Sequence, residues 1–316
     1  MKFSAGIDFG GTFTKFALVD LEGNIVDRDK TPSLTRSSAQ DVLLHVRGVL
    51  ESMCMRSHLP YPPPEGCGIG MPGVVDYEAG TVKMSGAFGW TDLPLRSIAS
   101  QILGCPVAVD TDVNAGMLAD LYFGNASNAS EMLYVSWGTG LGAGLTIARQ
   151  VYHSRFGAMG NLGHTRAVAD SPRLCFCGIR GCLEVEIGAR ALVEKAQAEM
   201  AAGRPSIMAV QRNLTPELIA QAATSQDALA LEILRRAVTL LAHTLAASLA
   251  MLNPDTVIFA GGVSNCLPIV RDVFDRELAS SAPTFALSNT SIQASAFGQS
   301  AGVVGAAKLA TLRRPA

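Results

Sequence analysis

One supersecondary pattern occurs twice in this chain, and the repeat constrains the fold more than any other feature. In the first copy Phe3, Ala5 and Ile7 alternate up to Asp8, and the run Gly10-Gly11-Thr12 follows. Phe16 and Leu18 then resume the alternation before a turn at Glu22-Gly23-Asn24, which leads into Ile25 and Val26. A period of two between turn residues is the mark of strands, so the segment reads as strand, tight turn, strand, turn, strand. The second copy has an apolar run from Met132 to Ser136, the turn Gly138-Thr139-Gly140, and a further strand over Leu145 to Ala148 ahead of Val151. A unit used twice argues for two related lobes, which a length of 316 residues also suits.

Around the two copies the pattern alternates between strand and helix. A helix is expected from Ala39 to Met55, a Pro-rich loop over Pro60 to Pro64, a short strand over Cys67 to Met71, a helix over Leu93 to Leu103 and a strand over Val107 to Val109. Leu231, Leu234, Val238, Leu241, Leu245 and Leu249 keep helical spacing until Asn253-Pro254 ends the helix, and a buried-strand run over Thr256 to Ala260 delivers Gly261-Gly262. This alternation predicts an α/β class with mixed sheets. The expected organisation is a first lobe over 1–114 and a second over 115–294 carrying a loop over 164–182. A small-residue segment over 295–316 is expected as a last helix that packs back on the first lobe.

The chain is 48% hydrophobic and 16% charged with formal net charge -2, a balance that excludes a disordered or polyionic chain and invites neither nucleic acid nor a membrane surface. An acid and glycines arrive before a signal-peptide core could form, so a cytoplasmic protein is expected. The apolar stretch Leu240 to Leu252 is interrupted by His243, Thr244 and Ser248, and no transmembrane segment is expected. Cys54, Cys67, Cys105 and Cys266 are scattered singly, whereas Cys175, Cys177 and Cys182 are bunched, which points to metal rather than disulfides.

Five segments carry chemistry. Asp8 and the Gly10-Gly11-Thr12 turn sit at a strand end, where glycines let backbone approach a polyphosphate, Thr12 adds a hydroxyl and Asp8 could hold magnesium through water. A plain hairpin turn explains the same residues, but the second Gly/Thr turn at Gly138, Thr139 and Gly140 favours a pair of turns that clasp one nucleotide from both lobes. Neither turn has the lysine of a Walker motif. Asp112 follows the Val107 to Val109 strand, at the carboxyl edge where α/β proteins bind ligands, although taken alone an Asp before a helix reads sooner as a helix cap. His164 with Cys175, Cys177 and Cys182 is a Cys3His set that closes a tetrahedral zinc site and leaves no open position, so the metal would be structural and would steady Glu184. Unligated cysteines are the alternative. Gly261-Gly262 suits a base or ribose lying against backbone, or a simple strand-to-helix turn.

In order, Asp8-Phe-Gly-Gly-Thr12, Gly68-Ile-Gly-Met-Pro-Gly73, Asp112-Val-Asn114, Gly138-Thr-Gly140, Gly163-His164, Cys175-x-Cys177-Gly, Gly181-Cys-Leu-Glu184 and Gly261-Gly262 resemble the ROK family (repressor, open reading frame, kinase) over nearly the whole chain. The resemblance implies a two-lobed actin/hexokinase-like, ribonuclease H-like ATPase fold with a cleft between lobes. It also implies an ATP- and magnesium-dependent, glucokinase-like sugar kinase with a structural zinc. Asp112 matches the general base, while Gly73, Thr111, Asn161, His164 and Glu184 fall at sugar-facing positions. Gly10, Gly11, Thr12, Gly138, Thr139 and Gly140 match the phosphate cradle, and Gly261 and Gly262 the adenosine side. A homodimer is implied as well.

The chain departs from the family at the sugar. Thr111 stands where most members have Asn, Asn161 where they have Glu, and Gly86 where a third contact Asn is usual. Exchanging a carboxylate acceptor for an amide changes which hydroxyl or acetamido pattern can be bonded, so glucose is not the default substrate. Family repressors carry a helix-turn-helix ahead of the first strand, and only seven residues precede Asp8, so a DNA-binding regulator is not expected. A sugar-binding protein without catalysis would need neither Asp8 nor Asp112. A zinc hydrolase fails on ligand count.

Overall fold

In a computed structural model that describes residues 1–312, the first copy of the repeat forms β1 (Phe3–Phe9), β2 (Phe13–Asp20) and β3 (Ile25–Pro32). β1 and β2 pair antiparallel from Phe3↔Asp20 to Phe9↔Thr14, which sets Asp8 opposite Lys15. α1 (Ala39–Arg56) follows, capped by Ser38, whose hydroxyl accepts from the Asp41 N–H. Next come β4 (Cys67–Met71), β5 (Val74–Asp76), β6 (Thr81–Ser85), β7 (Trp90–Leu93), α2 (Leu95–Leu103), β8 (Val107–Thr111) and α3 (Asp112–Phe123). β4 and β8 join β1 in parallel, giving the order β3-β2-β1-β4-β8. Parallel pairing brings the carboxyl ends of β1, β4 and β8 to one edge. β5, β6 and β7 make a separate antiparallel sheet whose Trp90 packs with Phe88 and Phe9.

The second copy forms β9 (Met132–Trp137), β10 (Leu141–Ile147) and β11 (Gln150–Val151). After it come α4 (Leu183–Ile187), α5 (Ala189–Ala201), α6 (Pro216–Thr224), α7 (Ala228–Leu252), β12 (Thr256–Ala260), α8 (Arg271–Ser281), α9 (Thr284–Leu287), β13 (Ser291–Ala294) and α10 (Ala301–Leu312). The sheet order is β11-β10-β9-β12-β13, with β12 parallel to both β9 and β13, so the first sheet's order is repeated strand for strand. α7 starts at Asp227, which accepts from the Ala230 N–H, and ends at Asn253 in the left-handed conformation. By length and composition alone α7 could cross a membrane, but its Ile233, Leu234, Val238, Leu241, Leu245 and Leu249 are buried in a core with Val135, Trp137, Phe259 and Phe274.

The residues fall into two compact units. One holds Met1–Ala129, Gly144–Met159 and the segment from Ser295; the other holds Ser130–Ala143 and Gly160–Ala294. The expected boundary at 114 therefore moves to 129, because α3 packs on α10 and β4 within the first unit. The last helix begins at Ala301, after a 3-10 turn over Gly298–Ser300, rather than at 295, and residues 313–316 lie outside the described chain. α10 lies directly on β1 and β4: a Cβ at Gly6 would fall 1.8 Å from the Val303 carbonyl oxygen, and one at Gly68 1.7 Å from that of Ala306. Small residues on both surfaces make this approach possible.

Candidate active site

In the first unit three acids gather at the carboxyl edge of the sheet. Asp8 is aligned with Gly70 of β4, and Gly70 with Asp110 of β8. With strands about 4.8 Å apart, Asp8 and Asp110 stand two strand spacings from each other. Asp112 opens α3 over the strand between them: a Cβ at Gly70 would fall 3.3 Å from the Asp112 Cα. Asp112 is not the helix cap. Thr111 is, its hydroxyl accepting from the Asn114 N–H at 3.1 Å. Asp112 Oδ1 accepts from the Val113 N–H at 2.9 Å. Burial first, and then the Asp8 charge, push the Asp112 carboxyl up to about 6. The Asp8 carboxyl is also raised, burial outweighing Lys15, whose Nζ is 3.9 Å away.

The Gly10-Gly11-Thr12 turn connects β1 to β2, closed by a bond from the Gly10 N–H to the Phe13 carbonyl. Gly11 and Thr12 are exposed. Ser33 braces the turn, its hydroxyl donating to the Gly10 carbonyl at 2.6 Å and its N–H to the Thr12 carbonyl at 2.9 Å. Gly73 lies between β4 and β5 at φ +123. Gly86 is exposed, and a Cβ there would meet nothing within 4 Å, so packing does not impose glycine at this position.

The second unit holds the other candidates. The Gly138-Thr139-Gly140 turn follows β9 and Gly261-Gly262 follows β12, and the two strands are parallel neighbours. The turns therefore lie side by side: a Cβ at Gly138 would be 3.9 Å from the Gly262 nitrogen. Gly261 has φ +91, and a Cβ there would fall 2.4 Å from the Trp137 carbonyl oxygen. Glu184, in the first turn of α4, accepts from the Leu141 N–H at 2.8 Å and reaches Gly140. Asn161 precedes the short 3-10 turn Leu162–His164.

His164, Cys175, Cys177 and Cys182 present donor atoms that all lie within 4.8 Å of one another. His164 Nδ1 is 3.4 Å from Cys175 Sγ, and Cys177 Sγ is 3.6 Å from Cys182 Sγ. Tetrahedral zinc with bonds of about 2.3 Å has ligand-to-ligand edges of about 3.8 Å, so the donor set and its spacing fit that ion.

The structure thus joins Asp8 with Asp112 in one unit, and Glu184, the Gly138 turn, the Gly261 turn and the Cys3His cluster in the other. Sequence reasoning missed Lys15, Ser33, Asp110 and His153. Lys15 was within reach, since hairpin register alone places it opposite Asp8. His153 lies far along the chain from Asp110, and no local pattern connects the two.

The pattern that defines the ROK family matches residues 4–313. A glucokinase from Halalkalibacterium halodurans is 26% identical over 308 residues, covering 96% of this chain and 93% of that protein. A xylose repressor from Caldicellulosiruptor bescii is 30% identical over 268 residues, covering 82% of this chain and 65% of that protein. The crystal structure of a ROK family glucokinase from Streptomyces griseus in complex with glucose and AMPPNP superposes with a TM-score of 0.83 at 28% identity, covering 98% of this chain and all of that one. With a family match across almost its full length and the two-lobed actin/hexokinase-like fold of its relatives, the chain belongs to the ROK family.

Proposed function

We propose that this protein transfers the γ-phosphoryl group of ATP to a hydroxyl of a hexose or amino sugar, the 6-hydroxyl by preference, with Asp112 as general base. The observation that carries the reading is the Asp112 carboxylate. It stands at the sheet edge, is relieved of capping by Thr111 and titrates near 6. At neutral pH such a group is mostly ionised and close to the pKa at which proton transfer is most effective. The Asp112 carboxylate takes the proton as the sugar oxygen attacks the γ-phosphorus, and ADP leaves with the bond electrons.

Asp8 would hold magnesium through water, and the ion supplies charge neutralisation on the phosphates. The turns at Gly10 to Thr12 and Gly138 to Gly140 offer backbone N–H groups to the phosphates, and Gly261-Gly262 a flat surface to the adenosine. Glu184, His164, Asn161, Thr111 and Gly73 would orient the sugar. Zinc in the Cys3His cluster is structural in this reading, since four protein ligands fill its coordination. The relative that binds glucose and AMPPNP supports the donor and the substrate class. Thr111 and Asn161, with Gly86, favour a sugar other than glucose.

One observation favours a second reading. The xylose repressor is 30% identical against 26% for the glucokinase, though over a shorter alignment that spans only 65% of the repressor, and sugar-responsive regulation without phosphoryl transfer would fit it. ADP release in ATP and magnesium, followed against hexoses, amino sugars, N-acetylamino sugars and polyols, separates the readings. Sugar-stimulated release that falls about 10²- to 10⁴-fold in Asp112→Ala supports the kinase. Sugar binding with no ADP released, for any member of the panel, supports the regulator.

A further inference from the structure

Asp110 is 1% exposed, and a buried carboxylate is tolerated only when donors replace its water. Here three donors converge. Asp110 Oδ1 accepts from the Thr111 N–H at 2.7 Å and from Asn114 Nδ2 at 2.8 Å, while Oδ2 lies 2.6 Å from His153 Nε2. Two of these groups, Thr111 and Asn114, flank Asp112 in the first turn of α3, so the Asp110 carboxylate ties that turn to the end of β8.

His153 comes from a different part of the chain, the segment Gly144–Met159 that returns to the first unit. Its ring is stacked on Tyr77 at 3.9 Å with an interplanar angle of 11°, and Tyr77 belongs to the turn between β5 and β6. Four residues on, Gly157 sits so close to β5 that a Cβ would fall 2.3 Å from the Val75 carbonyl oxygen. The imidazole is therefore held on one side by a ring and on the other by a buried carboxylate, at the point where that carboxylate supports the turn bearing the base.

We propose that His153 is a positioning residue: it acts through Asp110 to hold the first turn of α3, and with it the Asp112 carboxylate, in the orientation that receives the substrate proton. The inference rests on the kinase reading. Removing the imidazole leaves Asp110 Oδ2 buried without its donor, and the cheapest relief is rotation of the carboxylate toward water, which releases Thr111 and Asn114. A displacement of about 1 Å in a catalytic group costs about 100-fold in rate.

The test compares kcat and KM of the unmodified protein, His153→Ala, His153→Gln, Asp110→Asn and the double variant His153→Ala with Asp110→Asn, each checked for folding by thermal unfolding. Expected are a fall in kcat of about 10- to 100-fold in His153→Ala with KM for ATP within about twofold, and recovery of most of that loss in His153→Gln, whose amide can still donate. The double variant should be no slower than the worse single, because both act through one carboxylate. A folded His153→Ala with unchanged kcat overturns the inference. So does a His153→Gln as slow as the alanine variant, since only bulk would then matter. If the unmodified protein itself shows no sugar-stimulated ADP release, the kinase reading falls and takes the inference with it; unaffected variants of an active enzyme sink the inference alone.

Discussion

The two copies of the repeat have one topology and opposite chemistry. β3-β2-β1-β4-β8 and β11-β10-β9-β12-β13 match strand for strand. The carboxyl edge of the first sheet carries acids, Asp8 on β1 and Asp110 on β8, with Asp112 opening the helix that follows. The corresponding edge of the second carries glycines, Gly138 after β9 and Gly261-Gly262 after β12. Carboxylates can take protons and attract a metal ion, whereas bare backbone can approach phosphates and a nucleoside closely. The lesson is that a parallel edge only gathers side chains, and the residues placed at the strand ends decide whether it works as an acid-base centre or as a cradle.

Metal removal should separate the copies most strongly. The Cys3His cluster belongs to the second unit, and a structural zinc held there would contribute folding free energy on the order of 10 kcal/mol. Elemental analysis should find one zinc per chain. Chelation should then raise hydrogen exchange through 164–184 and lower activity, while amides of β1, β2 and β4 keep their protection. Exchange that rises equally in both units, or a protein purified without metal and unaffected by chelator, would break this assignment.

A smaller effect tests whether glycine is obligatory in each turn. At Gly261 alanine meets both a left-handed backbone and the Trp137 carbonyl, so Gly261→Ala should cost about 3 kcal/mol in urea unfolding and weaken ATP binding. Gly11 has only the Ala87 Cβ at 4.0 Å, and Gly11→Ala should change stability by less than about 1 kcal/mol. Equal losses at the two positions would mean that the turns are under the same steric constraint after all.

Much of this arrangement was legible before any coordinates. Strands such as Thr256 to Ala260 and Cys67 to Met71 were readable because short apolar runs bounded by turn residues, Pro254-Asp255 and Gly261 for one, Gly66 and Pro72-Gly73 for the other, leave few alternatives. The three-stranded β5-β6-β7 sheet was not, since its strands are short and carry little alternation. The start of α10 was misplaced because Ser295 to Ser300 is composed largely of small residues that a helix would also accept. At the site, the glycine turns and the cysteine cluster are local patterns. The choice between Thr111 and Asp112 as cap is not, since adjacent residues of two cap-forming types satisfy the same rule and only backbone geometry decides. His153 with Asp110 is a pairing across 43 positions, which periodicity cannot see.

The acidic edge makes the last prediction, because gathering carboxylates for chemistry should weaken the fold. An unfolded aspartate titrates near 3.8, whereas Asp112 titrates near 6 in the folded protein. Between these values the folded state holds the proton more tightly. The stabilisation from this group is therefore present below about pH 4 and is lost as pH rises through 6. Asp112→Asn removes the ionisation, so in magnesium-free buffer it should unfold at the same urea concentration as the unmodified protein near pH 4. It should gain progressively between pH 4 and 6, and stay more stable by on the order of 3 kcal/mol at pH 8. The same variant should have lost activity, giving a protein that is sturdier and slower. An Asp112→Asn curve that tracks the unmodified protein at every pH would show that Asp8 and burial exert no such force on this carboxyl, and the contrast between an acidic edge under strain and a glycine edge at rest would disappear.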